Sequence, residues 1–112
     1  MKKLKNIFVS TTFAKDDSKI SDILLMCKRA NISNVELGSN HAYEKNFIKI
    51  VNHYNFCFIV HNYFPIPKKS FVVNIASLNT RIRNLSLRHV KKAINFCKKT
   101  KSKLYTFHPG FV

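Results

Sequence analysis

The apolar positions of this chain change period several times, and each change marks an element. Ile7, Phe8 and Val9 form a β-prone run that turns polar at Ser10-Thr11-Thr12, which predicts a first strand over residues 7–11. Ile20, Ile23, Leu24 and Cys27 then recur at i, i+3, i+4, i+7, one face of a helix reaching about residue 30. Asp16, Asp17 and Ser18 stand ready to cap it, with acidic groups suited to the positive end of its dipole. Asn34-Val35-Glu36-Leu37 reads as a second strand closed by Gly38. Tyr43, Phe47, Ile50, Val51 and Tyr54 make a second helical stripe, which Asn55 ends.

Residues 56–60 are apolar without alternation, the mark of a strand buried on both faces, as in parallel sheets. Pro65 and Pro67 exclude a helix from the stretch that follows and predict a stiff loop with Lys68-Lys69 at its tip. Residues 71–77 are extended again, and Asn74, interrupting their apolar run, either braces the loop or faces a ligand, because a buried amide needs partners. Residues 80–99 return to the helical period, with Ile82, Leu85, Val90, Ala93, Ile94 and Cys97 inside, basic residues outside, and Ser86 a break or a cap. A fourth strand over residues 104–107 runs into His108-Pro109-Gly110, where a turn pulls the backbone away. The order β-α-β-α-β-loop-α-β predicts an α/β chain of four strands and three helices with right-handed crossovers and a parallel sheet.

That topology gives two histidines a common address. His61 closes the third strand and His108 the fourth, and the carboxyl ends of parallel strands lie on one side, where open α/β sheets and barrels carry their sites. Glu36, inside an apolar strand, is either a solvent-facing residue on an edge strand or a carboxylate aimed at the mouth of the sheet, in reach of a metal or a sugar hydroxyl. His41 and His53 read as loop and helix-face residues, and Tyr63 and Phe64 as core aromatics rather than base-stacking groups.

Composition changes this picture in two places. The 112 residues carry a net charge of +15, which suits an anionic substrate or nucleic acid. The lysines are nevertheless scattered over every segment, so solvated faces account for most of the charge. Lys68 and Lys69 have the same two readings, a phosphate contact or a solvated loop tip. The three cysteines, Cys27, Cys57 and Cys97, lie far apart in apolar-periodic contexts, the usage of small buried hydrophobes in a reducing compartment. No apolar run approaches the roughly 18–20 residues of a membrane span, and the basic start of the chain precedes too short and hydroxylated a run for a signal peptide. The expectation is a cytoplasmic protein with no membrane partner.

Three segments, in order, resemble the xylose isomerase-like (β/α)8 superfamily, which holds the AP endonuclease family 2 and the sugar phosphate isomerase/epimerase proteins. They are Asn34-Val35-Glu36-Leu37-Gly38, then His61-Asn62-Tyr63-Phe64-Pro65 continuing to Val73-Asn74-Ile75-Ala76-Ser77, then Thr106-Phe107-His108-Pro109-Gly110-Phe111. The resemblance covers essentially the whole chain and implies strands two, three and four of a TIM barrel. It implies His61 and His108 as ligands of a divalent metal (Zn, Mn or Fe); for an enzyme of that kind the candidates this sequence offers beside them are Glu36 as a site-facing catalytic carboxylate and, after it, Asn62 and Asn74 as substrate-binding residues. A sugar or sugar-phosphate substrate follows, with an AP endonuclease-like DNA phosphodiesterase and a non-catalytic remnant as alternatives.

A full barrel needs eight βα units and about 250 residues. Residues 1–112 therefore read as one partial xylose isomerase-like domain, roughly half of a TIM barrel, and two histidines fall short of the three protein ligands a catalytic metal site generally needs. The expectation is an N-terminal fragment, inactive without the missing half. The alternatives are a chain that pairs with a second half-barrel, its own copy or another protein, and one that has abandoned chemistry.

Overall fold

The computed structural model describes residues 7–110, so the basic N-terminal residues and Phe111 lie outside it. The expected α/β architecture is present. Four parallel strands and three helices alternate as in one half of a (β/α) barrel: β1 (Val9–Ser10), α1 (Ile20–Arg29), β2 (Asn34–Leu37), α2 (Phe47–Asn52), β3 (Cys57–His61), α3 (Thr80–Thr100) and β4 (Tyr105–Thr106). The strands lie side by side in sequence order. Val9 is paired with Val35, Val35 with Phe58, and Val60 with Tyr105. Among the described residues β1 and β4 each pair on one side only.

Register and the two-residue period of strands divide the sheet into two unlike faces. Val35, Leu37, Phe58 and Val60 point to the helices and are buried with Ile20, Ile23, Leu24 and Cys27 of α1, Phe47 and Val51 of α2, and Phe96 of α3. Phe64 is fully buried at the centre of this layer, its ring edge-on to Phe47 and Phe96 at centroid distances of 5.0 and 5.3 Å. Ser10, Glu36 and Ile59 align on the opposite face, and so do His61 and Thr106. That face is half-buried to exposed. β3 is therefore buried strongly on one face only, and the expectation of two buried faces is corrected.

Several boundaries move for identifiable reasons. The first strand is two residues long, because the Ser10 hydroxyl accepts from the Thr12 amide and turns the chain into a 3-10 turn at Thr11–Phe13. The N-cap of α1 is Lys19, without a side-chain cap, and not Asp16, Asp17 or Ser18. The first turn is served from elsewhere: the Glu44 carboxylate accepts from the Ser21 amide at 3.2 Å and from its hydroxyl at 2.6 Å. α2 starts only at Phe47, since Asn46 is left-handed (φ 66°), and its cap is already at His53, before Asn55.

The largest correction concerns the face of α3. Its buried positions are Ser86, His89, Ala93, Phe96 and Thr100, a stripe rotated from the expected one, while Ile82 and Ile94 are exposed. Ser86 is no break. Its hydroxyl donates to the Ile82 carbonyl one turn back and accepts from the Asn74 amide at 2.8 Å. The Thr100 hydroxyl likewise donates to the Phe96 carbonyl, so polar side chains on the inner stripe are satisfied within the helix or by the loop. Asn79 caps α3 by accepting from the Arg81 and Ile82 amides.

Candidate functional site

The carboxyl ends of β3 and β4 do bring the two histidines together. The imidazoles of His61 and His108 lie edge to face, ring centroids 5.3 Å apart and planes at 85°. His61 is half-buried and His108 exposed. His61 Nδ1 is hydrogen-bonded to the Thr106 hydroxyl at 2.8 Å, a cross-strand contact that follows from the pairing of His61 with Thr106. The tautomer in which Nδ1–H donates leaves the Nε2 lone pair free. An oriented, neutral imidazole of that kind is what a metal ion requires of a histidine ligand.

Glu36 shares this face but not this height. It is paired with Ile59, two residues before His61, so its backbone sits roughly 7 Å below the rim on the neighbouring strand. Among the described residues no group of three or more His, Cys, Asp or Glu side chains is placed to hold a metal ion. The histidine pair thus fits a metal as two ligands of a larger set, and these residues do not complete it.

The turn behind His61 is clamped. Asn62 takes a left-handed conformation (φ 49°), which Asn tolerates better than most residues. Its carbonyl accepts two hydrogen bonds, from His89 Nε2–H at 3.0 Å and from the Tyr105 hydroxyl at 3.1 Å. α3 and β4 together therefore set the backbone that presents His61. Burial pulls the His89 pKa down, helped by the Lys92 charge and opposed by the bond to Asn62, and it pushes the Tyr105 hydroxyl up to about 12, with smaller contributions from Cys97 and Tyr63. The Asn62 side-chain oxygen is buried without a partner.

Asn74 is held close to the other histidine. Its side-chain oxygen accepts from the Ala76 amide, closing a turn within the loop, and the next amide, Ile75, donates to the Pro109 carbonyl at 2.9 Å. A Cβ on Gly110 would come within 2.5 Å of that same side-chain oxygen. Gly110 thus permits close approach of two segments, rather than the sharp turn expected of Pro109-Gly110. Of the two readings of Asn74, its hydrogen bonds match the brace.

At the ends of β1 and β2 a third polar group is buried. His41 is only 4% exposed, its Nε2 lies 2.9 Å from the Thr11 hydroxyl, and that hydroxyl accepts from the Gly38 amide at 2.9 Å. Burial lowers the His41 pKa against the opposing pull of Asp16 and Glu44. Sequence reasoning treated His41 as a loop residue and passed over His89. The signal for His89 was its place in the helical period, three residues after Ser86 and four before Ala93, on a stripe discounted for being polar.

Tyr63 and Phe64 are structural, as expected. The Tyr63 hydroxyl accepts from the Val73 amide at 2.9 Å, and its ring meets Phe71 and His89. Lys68 and Lys69 are exposed, and Lys68 Nζ stands 5.5 Å from the centroid of the Tyr43 ring. Cys27 is buried and Cys57 and Cys97 are half-buried, all three free thiols, and burial raises the pKa of Cys27 and Cys97. Among the described residues no helix is long and apolar enough to cross a membrane.

No family model matches the chain, and no curated protein matches it. Among solved structures the fold is similar to that of the TTHB071 protein from Thermus thermophilus, from a crystal soaked with ZnCl2, with a TM-score of 0.67 at 13% identity. The match covers 95% of this chain and 39% of that one. A likeness at this identity speaks for the fold alone.

Proposed function

We propose that the rim formed by His61 and His108 is part of a divalent-metal site in a sugar or sugar-phosphate isomerase/epimerase-like protein of the xylose isomerase-like superfamily. The observation that carries this reading is the convergence of the two imidazoles at 5.3 Å, with His61 oriented by Thr106. His61 and His108 would hold the ion, a Zn, Mn or Fe cation being suited to imidazole. When bound, that ion would polarise a carbonyl or hydroxyl oxygen of the sugar. Glu36, on the same face, would take and return a proton at its carboxylate, and Asn62, whose side-chain oxygen has no hydrogen-bond partner, would be the substrate-side group, with Asn74 bracing the loop beside Gly110.

The remaining ligands would come from outside the described residues, either from further βα units of a longer chain or from a second half-barrel, its own copy or another protein. This chain's match to only 39% of its fold neighbour is in keeping with that. Activity would then require the complementary half.

The test is metal binding by gently purified protein, measured by elemental analysis and by titration with Zn2+ and Mn2+. Substoichiometric to stoichiometric metal is expected in the wild-type chain, with a loss of about tenfold or more in affinity in both His61→Ala and His108→Ala. Metal content unchanged in both variants would remove the site assignment. Circular dichroism of the same samples separates loss of ligand from loss of fold.

A further inference from the structure

A groove of about 1090 Å³ opens in the helix layer between α2, α3 and the loop over residues 65–71, on the other side of the sheet from the histidines. Its lining combines two chemistries. Ile66, Phe71 and Leu85 line it as apolar, half-buried groups, with Phe47 and Phe96 of the core behind them. Six exposed cations also line it: Lys49 from α2, Lys68 and Lys69 from the loop, and Arg88, Lys91 and Lys92 from α3. The acidic residue in the lining, Glu44, has both carboxylate oxygens engaged by Ser21 at the start of α1. Among the described residues the six cations therefore outnumber the lining's one carboxylate, whose oxygens are already hydrogen-bonded to Ser21.

The spacing of that rim is informative. Arg88, Lys91, Lys92 and Asn95 follow one another at i, i+3, i+4, i+7, a straight polar ridge about 10 Å long beside the apolar floor. Small-molecule sites are clefts or cavities of about 300–1,000 Å³ that bury most of the ligand's surface, whereas this groove is open to solvent between two helices. A channel flanked by two helices, with a hydrophobic floor and a charged ridge at helical spacing, has the form that accepts a third amphipathic helix. Bare phosphate chains would meet the ridge but leave the floor uncovered. A second copy of this chain, itself at +15, would set cations against cations.

We propose that the groove between α2 and α3 is a docking surface for an acidic amphipathic helix of a partner protein, its apolar side chains on Ile66, Phe71 and Leu85 and its carboxylates on the Lys49, Arg88 and Lys92 flanks. The inference does not rest on the metal-site reading: His89, which lines the groove and also holds the Asn62 carbonyl behind His61, is not among the docking contacts proposed.

The test uses the whole chain and a fluorescein-labelled helical peptide of about 15 residues. It carries Leu at i, i+3/i+4, i+7 and Glu on both flanks, and binding is followed by anisotropy at low and at physiological salt. The expected result is saturable binding that Arg88→Glu with Lys92→Glu weakens about tenfold or more. The equal charge reversal Lys28→Glu with Arg29→Glu, on α1, should weaken it less than about threefold. A peptide with Ser in place of Leu should bind at least about tenfold more weakly, because the floor then contributes nothing. Equal binding of the Ser peptide, of a single-stranded oligonucleotide or of anionic phospholipid vesicles would overturn the proposal in favour of general basicity. So would equal sensitivity to the two charge reversals, or no binding at low salt.

Discussion

The clamp on the Asn62 carbonyl makes a quantitative prediction. Two donors from different elements, His89 Nε2–H and the Tyr105 hydroxyl, converge on one acceptor behind His61. His89→Leu removes the first donor while keeping an apolar group against Tyr63 and Phe71. Tyr105→Phe removes the second while keeping the ring stacked on Phe107. After either change the carbonyl retains one partner, so each single variant should lose about 0.5–1.5 kcal/mol. The double variant leaves the acceptor with neither. It then bears the desolvation cost of an unpaired polar group, about 1–3 kcal/mol, so the double loss should exceed the sum of the singles by about 1 kcal/mol. Urea unfolding of the four proteins at pH 8, where His89 is neutral, measures this, with unchanged m-values as the check that one transition is being compared. Additivity within about 0.5 kcal/mol would refute the reasoning, since it would mean that water replaces the lost donors and the turn is not held by them.

Stability should also fall with acid in a particular window. His41 and His89 are both held neutral by burial, with folded pKa values below the ordinary 6.5. The unfolded chain therefore binds more protons between the folded values and 6.5, so stability is fully present above about pH 6.5 and declines as pH drops through it, levelling off below the folded pKa values. Each histidine contributes a slope of at most about 1.4 kcal/mol per pH unit, and His89→Gln, which keeps an N–H donor without a titration, should remove its share; an unchanged slope in denaturant titrations would exclude His89 as a source. Gly110→Ala should cost about 1–3 kcal/mol because its Cβ meets the Asn74 side chain at 2.5 Å. Adding Asn74→Ala should recover part of that loss, and a simply additive double variant in thermal unfolding would show that the two segments are not in the contact described.

Much of the candidate site was legible because it depends on order alone. Alternating helical and strand periods dictate parallel strands. Parallel strands place His61 and His108 on one rim, and no side-chain packing is needed to reach that point. The face of α3 was not legible. Apolar counting favoured Ile82 and Ile94 over Ser86 and His89, because the partners that make a buried hydroxyl and imidazole tolerable, the Asn74 amide and the Asn62 carbonyl, lie 12 and 27 positions away. The start of α1 has the same cause, its help coming from Glu44, 23 residues on.

Local pattern thus determined which segments are helix and strand, and which end of the sheet carries the histidines. Only the tertiary structure decided which polar groups are buried, why Gly110 has no side chain, and that a basic, apolar-floored groove opens between α2 and α3. Hydrophobic period is a property of near neighbours along the chain. Satisfaction of a buried polar atom is a property of whatever the fold brings within about 3 Å of it, at any separation in sequence.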